Sequence, residues 1–204
     1  ANKHDEIIEG ALQSKKEVAY WLGYYQCKDQ KRARLLNCIG FGFDAAVTER
    51  ARKLSFRHIL SKLKLDRLIY LFALLRELFF YQHLPMTLVI DGVEREYDRV
   101  LFLTINNQPY MGGGMKVNPT ATNNMKDMSV IVVHSIAKWK VFLLFGTVFF
   151  GKHTLFKEVE IYRGKKITVT SDQLLPYQVD GENGKTYFAT VTKDKEPIYL
   201  KGTI

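Results

Sequence analysis

Pro176-Tyr177-Gln178-Val179-Asp180-Gly181-Glu182-Asn183-Gly184 sets two carboxylates on either side of a glycine, directly after a short strand-like run. Asp-Gly and Asn-Gly are both strong hairpin signals, so the stretch predicts a tight turn between two strands. The central glycine tolerates a positive φ and a close approach of backbone to a bound group, which lets the two acids converge on one point of a cleft. There one would orient a proton acceptor or a metal while the other takes a proton. Ordinary turn chemistry accounts for the same residues with no function attached.

Working outward, residues 158–162, 166–170, 177–179, 187–191 and 198–200 are short β-prone segments separated by turns, the spacing of a sandwich or barrel. Residues 128–136 read as another strand. Residues 86–90 and 99–105 read as an antiparallel pair, joined through Asp91-Gly92 and a charged segment. The aromatic and β-branched run 18–25 forms a hairpin with 33–39. In residues 37–46, N-C-I-G-F-G-F-D-A-A, a strand gives way through glycines to a helix whose natural N-cap is Asp44. A Gly-x-Gly at a helix start also suits a phosphate, but the Asp44 carboxylate opposes one.

Three further segments read as helices. Residues 2–16 form an amphipathic helix or a frayed lead-in. Residues 66–82 are apolar around much of the helix, which makes it either a core helix or a face resting on a membrane or partner domain. A basic stretch precedes it, Lys53, Arg57, Lys62, Lys64 and Arg67. Residues 138–150 are too apolar for an exposed helix and too short to span a bilayer, so something must cover them. Residues 106–119 carry three consecutive glycines between amide-rich and proline-bounded flanks. Ordering them costs backbone entropy, which suits a loop lining a ligand cleft better than a plain linker. The fold class that follows is α+β, a β-rich sandwich-like domain over residues 18–204 with two or three marginal helices and a lead-in helix over residues 1–17.

At 204 residues and 47% hydrophobic content the chain has room for a real core. Thirty Lys and Arg against 21 Asp and Glu give a net charge of +9, which favours an anionic partner. No helix-turn-helix, zinc finger or RNA-recognition motif accompanies that charge, so nucleic acid is not the expected partner. Cys27 and Cys38 match no zinc or redox spacing and follow no clear secretory segment, so reduced thiols in a cytoplasmic protein are expected.

Taken in order, Asn37 to Ala45, then Asn106 or Asn107 followed by Gly112-Gly113-Gly114 and Pro119-Thr120-Ala121, then Asp180-Gly181-Glu182 in a β-rich end, resemble the second domain of the diacylglycerol kinase catalytic-domain family. That family includes bacterial lipid kinases and sphingosine kinases. The resemblance runs from Val18 to the C-terminus. It implies the C-terminal domain of an ATP-dependent lipid kinase, which transfers the γ-phosphoryl group to a lipid hydroxyl, with diacylglycerol the foremost substrate. ATP and Mg2+ would be held mainly by an N-terminal nucleotide-binding domain. The fingerprint of that domain, Gly-Gly-Asp-Gly-Thr, does not occur in this chain, which begins with Ala, so the expectation is a fragment inactive by itself.

By the same resemblance Glu182 is the proton acceptor, Asp180 orients it or the metal-bound phosphates, and Asn107, Gly112, Gly113 and Gly114 line the cleft. The implied partners are a lipid alcohol, an anionic membrane surface visited from the cytoplasm, and the chain's own nucleotide-binding domain. Apolar surface bared around residues 65–82 or 139–150 predicts self-association, as in a homodimer. Bacterial members commonly carry Asp-Asp-Gly shortly after the Pro-x-Ala motif, where the acids help hold a structural magnesium. Here those positions read Asn124-Met125-Lys126, and Asp127 is two positions out of place, so no structural metal is expected. The alternative from another class is a non-catalytic β-rich module that binds a lipid or a membrane.

Overall fold

The computed structural model describes residues 17–53, 80–111 and 114–201. The elements, in order, are β1 (Glu17–Tyr20), β2 (Gly23–Cys27), β3 (Ala33–Leu35), β4 (Cys38–Gly42), α1 (Phe43–Lys53), β5 (Leu84–Ile90), β6 (Val93–Asn106) and β7 (Met128–His134). Then come α2 (Lys138–Val148), a 3-10 turn (Lys152–Leu155), β8 (Val159–Gly164), β9 (Lys166–Val179), β10 (Glu182–Lys193) and β11 (Ile198–Lys201). This is the expected α+β architecture, dominated by strands. The expected helices at 2–16 and 66–82 lie outside the described residues, apart from residues 80–82 of the second, and so does the basic stretch beyond Lys53.

One antiparallel sheet carries most of the chain, in the order β3-β2-β10-β9-β4-β6-β7-β8, with β5 pairing both β6 and β9. Strands β4 and β5 are each antiparallel to both β6 and β9, so those two long strands run in the same direction. They enclose one shared column. β5 fills it beside residues 93–100 of β6, and β4 fills it beside residues 102–106. β1 and β11 form a separate two-stranded ribbon.

Alternation along the strands sorts the side chains onto two faces. One face of the strands from β2 to β10 feeds a single core that includes Ile39, Phe41, Leu88, Leu103, Val130, Val132, Ile167, Leu175 and Val191, with Tyr162 of β8 packed against it. Phe41 is wholly sealed there, and its truncation to Ala costs about 3–5 kcal/mol. The opposite face of β6 and β7 presents Leu101, Ile131 and Val133 to a second cluster, built with Phe43 and Val47 of α1 and with Val141, Leu144 and Val148 of α2. β7 is therefore buried on both faces, which explains its nearly unbroken apolar sequence. α2 buries only Val141, Leu144 and Val148, while Trp139, Leu143, Phe149 and Phe150 at and beside it stay exposed. Among the described residues the helix is covered on one side rather than all round.

Two sequence expectations are corrected here. Residues 18–25 and 33–39 do not form one hairpin. Residues 17–20 pair with β11, residues 23–25 pair with residues 33–35, and 38–42 cross to β6 and β9. The breaks arise because backbone groups at both points have other partners: Trp21 N donates to the Asn123 carbonyl, and the amides of residues 36–38 donate to a carboxylate. The charged segment after Asp91-Gly92 is also no connector. It is the first half of β6, where Glu94, Glu96, Asp98 and Arg99 are exposed and Arg95 lies over the Tyr162 ring. Cys27 and Cys38 are free and buried, in line with reduced thiols.

Candidate functional site

The sharpest local feature of β4 and α1 is the passage from strand to helix. Gly42 has φ +92°, a backbone state that glycine adopts without strain, and it lets Phe43 begin the helix at once. Asp44 is consequently inside the first turn rather than at the N-cap. Its carboxyl folds back over β4: a Cβ on Gly40 would fall 2.1 Å from Asp44 Oδ2, so only glycine fits beneath it.

Gln178 of β9 holds that carboxyl. Its Nε2 donates to Asp44 Oδ2 at 3.0 Å, while its Oε1 accepts from the Gly181 amide at 2.8 Å. One side chain thus joins the Asp-Gly-Glu turn to the helix start. Asp44 Oδ1 is sealed from solvent with no hydrogen-bond partner among the described residues. Burial pushes the Asp44 carboxyl up to about 7, against the stabilising pull of Gln178 and nearby backbone amides.

Beside this group lies a cavity of about 520 Å3, within the range of small-molecule sites. Its apolar wall is the second cluster: Phe43 and Val47 from α1, Leu101 and Val133 from the sheet, Leu144 and Val148 from α2. Its polar wall is contiguous, made by Asn37, Asp44, Gln178, Asp180 and Gly181. Asn37 Oδ1 is a second sealed acceptor without a partner among the described residues. His153 also reaches the cavity, with Nε2 2.7 Å from the Val117 carbonyl, so the ring carries its proton there. Burial holds the His153 pKa down and keeps that ring neutral.

The sequence-derived residues are placed unequally around this cavity. Asp180, at φ 48°, lies on the wall, and its carboxylate accepts from three backbone amides: Leu36 at 2.8 Å, Asn37 at 2.9 Å and Cys38 at 3.0 Å. It fixes the shape of the wall through the β3–β4 connection. Glu182 opens β10, opposite Val179, with an exposed side chain one residue beyond the cavity-lining Gly181. Asn107 is fully buried, and its Nδ2 donates to the carbonyls of Trp21 and Leu36 at 2.9 and 3.0 Å. It braces the wall from behind. Gly112 and Gly113 lie outside the described residues, and Gly114 sits exposed at φ +97° with open space where a Cβ would be.

The side chains that the glycine loop delivers to the cavity are Met111 and Met115, which pair as an isolated β-bridge at its neck. A buried polar cluster anchors that neck. Asn106 Nδ2 meets Met111 Sδ at 3.3 Å, Thr104 and Asn118 donate to Asn106 Oδ1, and Thr120 and Ser129 donate to Asn118 Oδ1. Sequence reasoning gave Asp44 only a capping role and passed over Gln178 and both methionines. The usable signal was Gly40 and Gly42, four and two residues ahead of a buried acid. Among the described residues no three His, Cys, Asp or Glu side chains gather as a metal site. No helix among them is long and apolar enough to cross a membrane.

A folded antiparallel sheet with two outer helices, closing an apolar cavity on a buried carboxyl, defines a β-sandwich-like domain. The chain belongs to the family described as the YegS C-terminal NAD kinase beta sandwich-like domain, whose profile matches residues 37–200. This bears out the resemblance to the C-terminal domain of diacylglycerol kinase-type enzymes. The chain is 27% identical over 190 residues to the "Putative lipid kinase YtlR" of Bacillus subtilis (strain 168), covering 93% of this chain and 57% of that protein. It is 30% identical over 141 residues to the diacylglycerol kinase of Mycobacterium tuberculosis (strain ATCC 25618 / H37Rv), covering 69% of this chain and 43% of that one. The chain thus spans about half the length of the curated relatives it matches. Its fold is shared with a solved structure titled as "a putative diacylglycerol kinase from Bacillus anthracis str. Sterne", with a TM-score of 0.62 at 13% identity, over 93% of this chain and 58% of that one.

Proposed function

We propose that this chain is the lipid-side half of an ATP-dependent lipid kinase, working at the cytoplasmic face of a membrane with a nucleotide-binding domain that supplies ATP and Mg2+. The observation that carries this reading is the cavity. An apolar body suits an acyl chain, and a contiguous polar wall of Asn37, Asp44, Gln178, Asp180 and Gly181 suits the hydroxyl-bearing end of a lipid. The polar end of the lipid would rest against Asp44 and Asn37, with its reacting hydroxyl turned toward Glu182 at the Asp-Gly-Glu turn.

Phosphoryl transfer asks mainly for positioning and charge stabilisation. As the hydroxyl oxygen bonds to the γ-phosphorus of ATP and the bond to ADP breaks, its proton passes to Glu182, the exposed carboxylate at the turn. Asp180 acts beneath it as a positioning residue, because its three amide contacts shape the wall. Gln178 couples that turn to Asp44. Diacylglycerol is the substrate that the relatives' names favour.

The test has two arms. Binding of diacylglycerol and of a sphingoid base to this chain is measured by fluorescence, for the wild type and Asp44→Asn. ATP-dependent phosphorylation of the same lipids is measured with a nucleotide-binding domain joined ahead of Val18, for the wild type and Glu182→Gln. The expected result is binding weakened by Asp44→Asn and turnover abolished by Glu182→Gln. Lipid binding without turnover in any joined form would make the domain a binding module. No lipid binding at all would overturn the reading.

A further inference from the structure

Loop 122–127 follows the Pro119-Thr120-Ala121 motif at the positions where the family resemblance leads one to look for a structural magnesium, and its donor set does not fit a hard divalent ion. Such an ion needs several anionic oxygens in its first shell. The loop offers Asn124, Met125 and Lys126. Its one carboxylate, Asp127, is engaged by Arg163, with Nε 2.8 Å from Oδ2 and Nη2 3.3 Å from Oδ1.

Three of the loop's backbone oxygens, those of Thr122, Asn123 and Met125, are engaged as well. Lys193, the last residue of β10, is buried at 8% exposure and reaches across with Nζ 2.9 Å from the Thr122 carbonyl and 2.6 Å from the Met125 carbonyl. Arg163 Nη1 takes the Thr120 carbonyl at 2.9 Å, and the Trp21 amide takes the Asn123 carbonyl at 3.0 Å. A buried ammonium is costly unless its donors are matched, and here two carbonyls of one tight loop match it.

We infer that Lys193 is a built-in cation for this loop: its ammonium, tethered through β10, gathers the Thr122 and Met125 carbonyls and makes the loop independent of any divalent metal. The loop in turn leads into the Asn118–Ser129–Thr120 cluster that anchors Met111 at the cavity. Holding it therefore holds one cavity wall. Arg163 and Asp127, the charged neighbours of Lys193, form the second half of the clamp.

The inference stands apart from catalysis, so its test needs no turnover. Hydrogen exchange of residues 122–127 and the melting temperature are measured on the intact chain in EDTA and in excess MgCl2, for the wild type and Lys193→Met. Wild-type protein is expected to show the same melting temperature and the same slow exchange in both buffers. Lys193→Met removes the charge and keeps the length, and should speed exchange in this loop by roughly tenfold or more, with Mg2+ giving no rescue. Wild-type protein that loses loop protection or melts earlier in EDTA would overturn the inference, as would a Lys193→Met protein with wild-type protection. Should Lys193→Met not fold, the EDTA and MgCl2 comparison on the wild type decides.

Discussion

At the β5–β6 turn, Asp91 (φ 49°) and Gly92 (φ 88°) make a two-residue hairpin connection, and at the β9–β10 turn Asp180 (φ 48°) and Gly181 (φ 94°) make the same one. The likeness extends to what each aspartate does. Asp91 accepts from the amides of Lys165 and Lys166 in the β8–β9 connection, and Asp180 from the amides of Leu36, Asn37 and Cys38 in the β3–β4 connection. Each turn thus bolts its hairpin to a neighbouring connection. The turns differ in the residue after the glycine, Val93 against Glu182, and in what is bolted, since only the β3–β4 connection lines the cavity. In these contacts the shared aspartate acts as scaffolding, so the residues that the two turns do not share are where a test for chemistry should begin.

The largest effect should come from the unshared acid. In the joined enzyme, Glu182→Gln is expected to lower kcat by about 10²–10⁴-fold, the usual contribution of a general base, with lipid affinity and melting temperature unchanged. Val93→Gln at the equivalent place should change neither rate nor stability. Equal losses at both positions would remove the distinction between the turns.

Next in size is Asp44, which has no counterpart at the other turn. Its carboxyl moves from 3.8 to about 7 on folding, so the folded state holds a proton that the unfolded state has released. That contribution to stability is full below about pH 4 and is lost as pH rises through about 7. Asp44→Asn removes the dependence. Urea melts should show the variant gaining on the wild type as pH rises from about 5 to about 8.5, by about 2–3 kcal/mol, while its lipid affinity falls. A wild-type-minus-variant difference that is flat with pH would mean that the carboxyl is not buried in solution.

The paired aspartates come third. Asp91→Ala and Asp180→Ala each release backbone amides that water can partly satisfy, so each should cost about 1–2 kcal/mol in denaturant melts. Only Asp180→Ala should also weaken lipid binding, because it loosens the wall at Asn37 and Cys38. Weaker binding in both variants would trace to lost global stability instead.

These turns also show what a sequence discloses. Asp-Gly at 91–92 and 180–181 was readable as hairpin geometry because both central residues need positive φ, which is a local demand. The strands around them were readable from alternation. Three features were hidden for one reason, that each depends on a partner distant in sequence. The Asp180 carboxylate meets amides 142 to 144 residues away, Asp44 meets Gln178 at a separation of 134, and Lys193 meets Thr122 and Met125 at 71 and 68. Asp44 therefore looked like an N-cap and residues 33–39 like one strand, because local propensity cannot register a competing long-range acceptor.

Gly92 and Gly181 give the smallest effect and the tightest control. A Cβ at either position meets nothing within 4 Å, so alanine there is opposed only by the positive φ, +88° and +94°. The strain should be about 1–2 kcal/mol at both sites and equal within error, since the backbone angles nearly coincide. Stability is thereby matched between the two variants, and any difference in lipid binding or turnover reports position alone. Gly181→Ala adds a methyl to a residue that lines the cavity and whose amide holds Gln178, whereas Gly92→Ala touches neither. Equal melting temperatures with impaired binding in Gly181→Ala only would locate the functional difference at the β9–β10 turn. Equal function in both would leave that turn as scaffold and shift the whole weight of the proposed site onto Asp44 and the cavity wall.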